Sequence, residues 1–226
     1  MNGIKLLLNE NGVFVSESQY LADIIEKLEY DTIYHEHLSY LSLKPMIKFF
    51  QSKKMDVFDV EFYSIHGGSL RYFICHQGKK QISSNVRKFL ENEINNNLHS
   101  IENMQKFSSS VEKQKSELIN LLTELQKKGK KIVGLSAPAK GNTLLNYCKI
   151  GTNFLEYVTE KSTLKIGKYT PGTHIKIYSD DFLKQDKPDY ALILAWNFAS
   201  DIIKNNTKFA KQGGKFIIPI PFPKII

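Results

Sequence analysis

The chain opens with Ile4, Leu6, Leu7 and Leu8 spaced as the tail of an amphipathic helix, then a polar turn at Asn9-Glu10-Asn11-Gly12, then an apolar run from Val13 to Val15 that ends in Ser16 and Glu17. A helix, a glycine turn and a strand ending in an acid compose one late αβ unit of a doubly wound sheet, so the pattern predicts earlier units upstream. Over residues 20–50 helical periodicity is interrupted by a polar, histidine-rich stretch, and Pro45 is expected to open a helix over residues 46–50. Strands are predicted over 56–63 and 69–75. Gly67 and Gly68 between them permit the tight return of an antiparallel hairpin.

From about residue 83 to 128 the spacing is helical and highly charged, with Phe89, Ile94, Leu98, Ile101, Met104, Phe107, Val111, Leu118, Leu122 and Leu125 on one apolar stripe. A single long helix acting as a spacer is expected there. Beyond it, strands at 131–135, 155–158, 190–195 and 215–219 alternate with helices at 143–148 and 199–210, the pattern of a small, mainly parallel α/β layer. No internal repeat or low-complexity segment interrupts this order.

Composition changes little in that picture. With 226 residues, 42% hydrophobic and 24% charged, the chain is long enough for one sizeable core or two modest ones without staples. No apolar run approaches the roughly 20 residues that span a bilayer, and the N-terminus lacks the order of a signal peptide, so no membrane partner and a cytoplasmic location are expected. Cys75 and Cys148 allow neither a CxxC site nor a disulfide framework, which excludes zinc held through cysteine and predicts two buried thiols. The net charge of +8 suits phosphate. Its densest cluster, Lys127-Lys128-Gly129-Lys130-Lys131, marks a helix end, where cations are favoured by the dipole, and aromatics are not interleaved with the lysines as stacking platforms. A phosphate-bearing small substrate is therefore expected rather than nucleic acid.

Four constellations offer chemistry. Tyr34-His35-Glu36-His37 places a phenol, two imidazoles and a carboxylate together: a base, an orienter and a proton donor, or a polar edge with satisfied histidines. Metal is disfavoured, because residues two apart on a helix point about 200° away from each other. His66-Gly67-Gly68-Ser69-Leu70-Arg71 combines close backbone approach with a guanidinium that suits phosphate or carboxylate; a plain hairpin with a solvated arginine is the other reading. Residues 134–143 run from a strand through a small-residue loop into a helix, with Lys140 beside the free N–H groups, either an anion seat or a tight connection. This is neither a phosphate-binding P-loop nor a dinucleotide fingerprint, since no G-x-G occurs. Residues 167–174 and the pair Trp196-Asn197 are candidates for a binding rim at strand ends.

Taken in order, residues 31–40, 65–71, 136–148, 167–174 and 188–198 resemble the sugar-nucleotide C-methyltransferases, which methylate a ring carbon of a 4-keto-deoxysugar carried on a nucleoside diphosphate such as dTDP. The resemblance implies an α/β architecture: residues 1–76 as the end of a class I methyltransferase sheet with the catalytic motif, and 77–226 as a Rossmann-like C-terminal domain behind a helical spacer at about 83–129. It implies S-adenosylmethionine as cofactor. The family's zinc cysteines and glycine-rich cofactor loop have no counterpart here, so the resemblance implies a separate chain, or a missing N-terminus, supplying the cofactor domain. A non-catalytic sugar-nucleotide-binding module or remnant is the alternative.

In the mechanism the resemblance implies, a base removes a proton beside the ketone and the enolate attacks the methyl group of the cofactor. His37 is then general base, Tyr34 stabilises or relays charge, and Glu36 orients the imidazole; His35 is left without a role. His66, Arg71, Lys140, Asn142, Asn146 and His174 would hold the sugar nucleotide.

Overall fold

The computed structural model describes all 226 residues, except for the side chain of His66. It divides into two compact units, one formed by Met1–Lys27 and Ser39–Ser108, the other by Leu28–Leu38 and Ser109–Ile226.

In the first unit the elements are α1 (Asn2–Leu7), β1 (Phe14–Gln19), α2 (Leu21–Glu26), α3 (Leu43–Ser52), β2 (Met55–Tyr63), β3 (Ser69–His76) and α4 (Ser84–Asn95); α5 (Ile101–Lys127) starts here and runs into the second unit. The strands form one sheet of order β1-β3-β2, with β3 antiparallel to both neighbours. The expected hairpin is present as β2 and β3. The expected helix and strand at the start are present as α1 and β1, with α1 burying no residue and β1 pairing antiparallel with β3. The core gathers Leu43, Met46, Phe50, Val57, Val60, Leu70, Tyr72 and Ile74 between the sheet and α3, with Val86 of α4.

The start of α3 lies three residues ahead of the expected one, and the reason is a side chain distant in sequence. Ser42 gives no side-chain cap. Instead the fully buried carboxylate of Glu93, on α4, accepts from the N–H groups of Leu43 at 2.5 Å and Lys44 at 3.0 Å, and from the Tyr20 hydroxyl at 3.1 Å. Pro45 follows within the first turn, where its missing N–H costs nothing.

The expected single helix over 83–128 is interrupted between α4 and α5. Asn97 takes a positive φ of 49°, and the Leu98 N–H closes back on the Glu93 carbonyl at 3.0 Å. Asparagine tolerates the left-handed conformation that ends a helix, and three stand in a row at 95–97. Ile94 and Ile101, which flank the break, are exposed, whereas Leu98, Val111, Leu118, Leu122 and Leu125 of the same stripe are buried.

The second unit holds β4 (Ile132–Leu135), α6 (Ala139–Cys148), β5 (Val158–Glu160), β6 (Ile177–Ser179), α7 (Asp180–Asp186), β7 (Tyr190–Ile193), α8 (Ala199–Asn205), α9 (Thr207–Lys211), β8 (Lys215–Ile218) and β9 (Lys224–Ile225). Sheet order is β6-β5-β4-β7-β8-β9, parallel except for β9. This is the Rossmann order, which runs outward from β4 in both directions and reverses between β4 and β7. Three sequence expectations are corrected. The strand over 155–158 begins only at Val158, because Phe154 and Leu155 close a turn on the Gly151 carbonyl; the helix over 199–210 breaks at Asn206 into α8 and α9; β6, α7 and β9 were not expected. Gly134 lets β4 and β5 approach: a Cβ there would meet Val158 Cγ2 at 2.8 Å.

Among the described residues no helix is long and apolar enough to cross a membrane. Both cysteines are free and buried. In the basic cluster, Lys130 pairs with Asp189 at 2.9 Å, and Lys131 with Asp186 and Glu156 at 2.8 and 2.9 Å.

Candidate functional site

In an open α/β sheet, ligand sites form outside the carboxyl ends of the strands, where the strand order reverses. Here that place is bounded by the loop after β4 and the turn after β7. The chain leaves β4 through Ser136, whose φ of 72° turns it sharply. The Glu160 carboxylate at the end of β5 holds the loop, accepting from the Ala137 N–H at 3.0 Å, while Lys165 Nζ donates to the Ala137 carbonyl at 2.7 Å. Burial pushes the Glu160 carboxyl up, but the N–H groups of Ser162, Ala137 and Lys161 and the charge of Lys165 outweigh it and hold it below the ordinary value. α6 then starts after Pro138, so close to the end of β7 that a Cβ on Gly141 would meet Leu194 Cβ at 3.0 Å.

Lys140, in the first turn of α6, lies with its ammonium 4.0 Å from the ring centroid of Trp196, which follows β7. The Trp196 indole N–H donates at 2.6 Å to Oδ2 of Asp31, which sits fully buried in the single 3-10 turn Tyr30–Thr32. Asp31 Oδ1 has no hydrogen-bond partner. Burial pushes the Asp31 carboxyl up to about 6, against the opposing pull of Lys140 and the indole N–H. The Lys140 ammonium is lowered by burial, and the charges of Asp31 and Glu29 only partly restore it. Next door the Tyr30 hydroxyl donates to Gln114 Oε1 at 2.8 Å and lies 3.3 Å from Cys148 Sγ, and Gln114 Nε2 donates to the Pro219 carbonyl at 2.7 Å. Residues 30 and 31 are thereby fastened to α5, to α6 and to the turn after β7.

This fastening carries the histidine motif into the second unit. Residues 34–37 form an open turn, not a helix, closed by the His37 N–H on the Tyr34 carbonyl at 3.0 Å. The Tyr34 ring meets the His37 imidazole edge-on, centroids 4.9 Å apart, and the His35 ring at 6.0 Å. Tyr34 and His37 are half-buried. Glu36 is exposed and makes no hydrogen bond to either histidine, so the structure does not bring it to His37 as an orienter.

The other expected binding residues do not gather in one place. Asn142 Nδ2 faces its own helix, 3.4 Å from the Pro138 carbonyl. Asn146 Nδ2 donates to the carbonyls of Asn142 at 2.8 Å and Pro171 at 3.0 Å, so it ties the loop after β5 to α6. His174 ends that loop with φ of 51° and an exposed side chain. Arg71, in the first unit, is committed to Glu17, with Nε at 2.9 Å and a second nitrogen at 2.8 Å, and to the Tyr63 hydroxyl at 2.8 Å. The His66 side chain lies outside the described residues. Among the described residues, no group of His, Cys, Asp or Glu is placed to hold a metal ion. A separate polar cleft of about 320 Å³ lies beside Glu160, between Lys161, Ser179 and Asn205.

Asp31 is the residue the motif reading passed over. It stands inside the matching stretch 31–40, and its signal is an acid placed directly after Tyr30 and before Thr32 in a segment that must be buried on both sides.

The Rossmann-ordered sheet, the reversal between β4 and β7, and the three motif stretches that meet there define an α/β protein with a candidate site at its strand ends. Residues 64–221 match the family model of the C-methyltransferase C-terminal domain, and the chain belongs to the C-methyltransferase family. Among curated proteins the chain is similar to the C-methyltransferase NovU of Streptomyces niveus, 34% identical over 227 residues, which covers 100% of this chain and 54% of NovU. The chain thus spans about half the length of the curated relative it matches.

Proposed function

We propose that this chain acts in C-methylation of a nucleoside-diphosphate 4-keto-deoxysugar, where it binds the sugar nucleotide and abstracts the proton from the carbon to be methylated. The observation that carries this reading is the Tyr34–His37 contact on an exposed turn, within a chain similar over its whole length to a C-methyltransferase. In this reading residues 1–76 end a methyltransferase domain and 77–226 are the family's C-terminal domain.

A hydrogen beside a ketone is acidic enough for imidazole, whose ordinary pKa lies near neutrality, to remove it. His37 takes that proton on a ring nitrogen, and the Tyr34 phenol beside it stabilises the enolate oxygen or relays charge. Lys140 provides positive charge at the strand ends for the diphosphate.

S-adenosylmethionine supplies the methyl group in this family reading. The residues here do not form its cradle. The strand-to-helix loop after β4 lacks the glycine-rich pattern, and Glu17, the acid on β1, is spent on Arg71. In this reading the chain contributes substrate binding and proton abstraction, and the cofactor-binding part is supplied separately.

Calorimetry tests the reading. A dTDP-4-keto-deoxysugar gives saturable binding to this chain, while S-adenosylmethionine gives none until the cofactor-binding part is added. Absence of sugar-nucleotide binding would refute the proposal.

A further inference from the structure

The hydrogen bond between Asp31 and Trp196 fixes the root of the turn that carries Tyr34 and His37. From Asp31 to Tyr34 is three residues, and two backbone bonds lock the path between: Ile33 N–H to the Tyr30 carbonyl at 3.0 Å and Tyr34 N–H to the Thr32 carbonyl at 3.1 Å. Thr32 adds a side-chain bond to the Glu29 carbonyl at 2.8 Å. Beyond Thr32 the chain rises to the surface, and Ile33, His35, Glu36 and Leu38 are exposed. The turn is thus a short exposed arm on a buried anchor, and the aim of the arm depends on the anchor.

Asp31 is unusual as an anchor. It is a carboxylate with no exposure, one oxygen bonded to an indole N–H and the other to nothing, and no ion pair with Lys140 within 4.0 Å. A buried charge so poorly compensated is costly, and an amide would fill the same space more cheaply. What the arrangement secures is placement: the acceptor reaches the reversal point of the sheet, where Lys140 lies over the Trp196 ring, 4.0 Å from its centroid.

We propose that Asp31 is a positioning residue which, through the Trp196 indole N–H, sets the Tyr34–His37 pair for proton abstraction. The inference rests on the function proposed above. It assigns Trp196, and the Lys140 side chain on its face, to holding the turn.

The test combines a double-mutant cycle with a spectroscopic readout of the turn, on the full chain. Trp196→Phe keeps the ring under Lys140 and removes the N–H; Asp31→Ala removes the acceptor; Asp31→Asn keeps an acceptor oxygen. In D2O with a dTDP-4-keto-deoxysugar, each of the first two lowers the deuterium-exchange rate about tenfold and the double variant is little worse than either, because both remove one bond. Asp31→Asn recovers the rate to within about threefold, and calorimetric affinity for the sugar nucleotide stays within about twofold throughout. In NMR spectra the ring-current displacement of the Tyr34 and His37 resonances collapses in Trp196→Phe and is kept in Asp31→Asn; these two variants carry the test if Asp31→Ala does not fold. Additive losses in the cycle, or displaced resonances unchanged in Trp196→Phe, would overturn the inference. If the wild-type chain exchanges no deuterium, the proposed function falls; the resonances then decide the positioning alone, their collapse in Trp196→Phe upholding it.

Discussion

Asp31 ties the chemistry of one side chain to the stability of the protein. Its folded pKa of about 6 lies above the ordinary value of 3.8, so between those values the folded state holds a proton that the unfolded state has released. Stability from this group is complete below the lower value and is lost as pH rises through about 6. The groups that set this titration are Lys140 and the Trp196 N–H, which favour the carboxylate; Glu29, Tyr30 and Cys148 lie in the same cluster. The gap from 3.8 to about 6 corresponds to a penalty on the order of 3 kcal/mol at neutral pH. Asp31→Asn, which removes the charge and keeps an acceptor, should therefore gain stability over wild type as pH rises from about 4 to about 7. Urea unfolding at the two pH values measures this, and a constant difference would contradict it. Because Trp196 is the chain's single tryptophan, its emission should also change with a midpoint near pH 6 in wild type and stay flat in Asp31→Asn.

At the scale of elements, two polar contacts, one buried and one exposed, decide local structure. Glu93 serves as the cap that α3 lacks, and Glu93→Ala leaves two N–H groups and the Tyr20 hydroxyl without their acceptor. A loss of about 3 kcal/mol in urea unfolding is expected, with Glu93→Gln, which keeps one acceptor oxygen, losing less. Asn146 and Gly172 fit together in the same way. Gly172 has φ of +78°, and a Cβ there would fall 2.1 Å from Asn146 Oδ1. Gly172→Ala should strip hydrogen-exchange protection from the amides of Thr170 and His174, and Asn146→Ala should reproduce part of that loss without the backbone strain. Such contacts were not legible in the sequence. The hairpin was, because alternation of apolar residues and a glycine pair are local signals. The Glu93 cap joins residues 50 apart, and the break at Asn97 depends on one left-handed residue inside an otherwise continuous helical stripe. β6 and β9, with three and two residues, are too short to leave a period.

For the molecule as a whole, the sequence motifs indicated which stretches matter more reliably than what each residue does. Stretches 31–40, 136–148 and 188–198 do meet, at the reversal of the Rossmann-ordered sheet. The residues that join them, however, are Asp31, Lys140 and Trp196; of these Lys140 and Trp196 were expected to face a ligand, and Asp31 was given no role. Asn146 and Arg71, expected as ligand contacts, hold a loop and pair with Glu17 instead; polarity and motif position alone cannot separate a side chain aimed at a ligand from one aimed at a carbonyl. The division of the chain was also hidden. Residues 28–38 pack with a sheet more than 90 residues downstream, and no local pattern encodes a return of that length. The central claim concerns His37, and one measurement reaches it directly: deuterium incorporation at the carbon beside the ketone of a dTDP-4-keto-deoxysugar, in D2O, with wild-type chain and His37→Ala. Incorporation by wild type and its loss in His37→Ala is the predicted result; equal incorporation by both, or none by wild type, would contradict it.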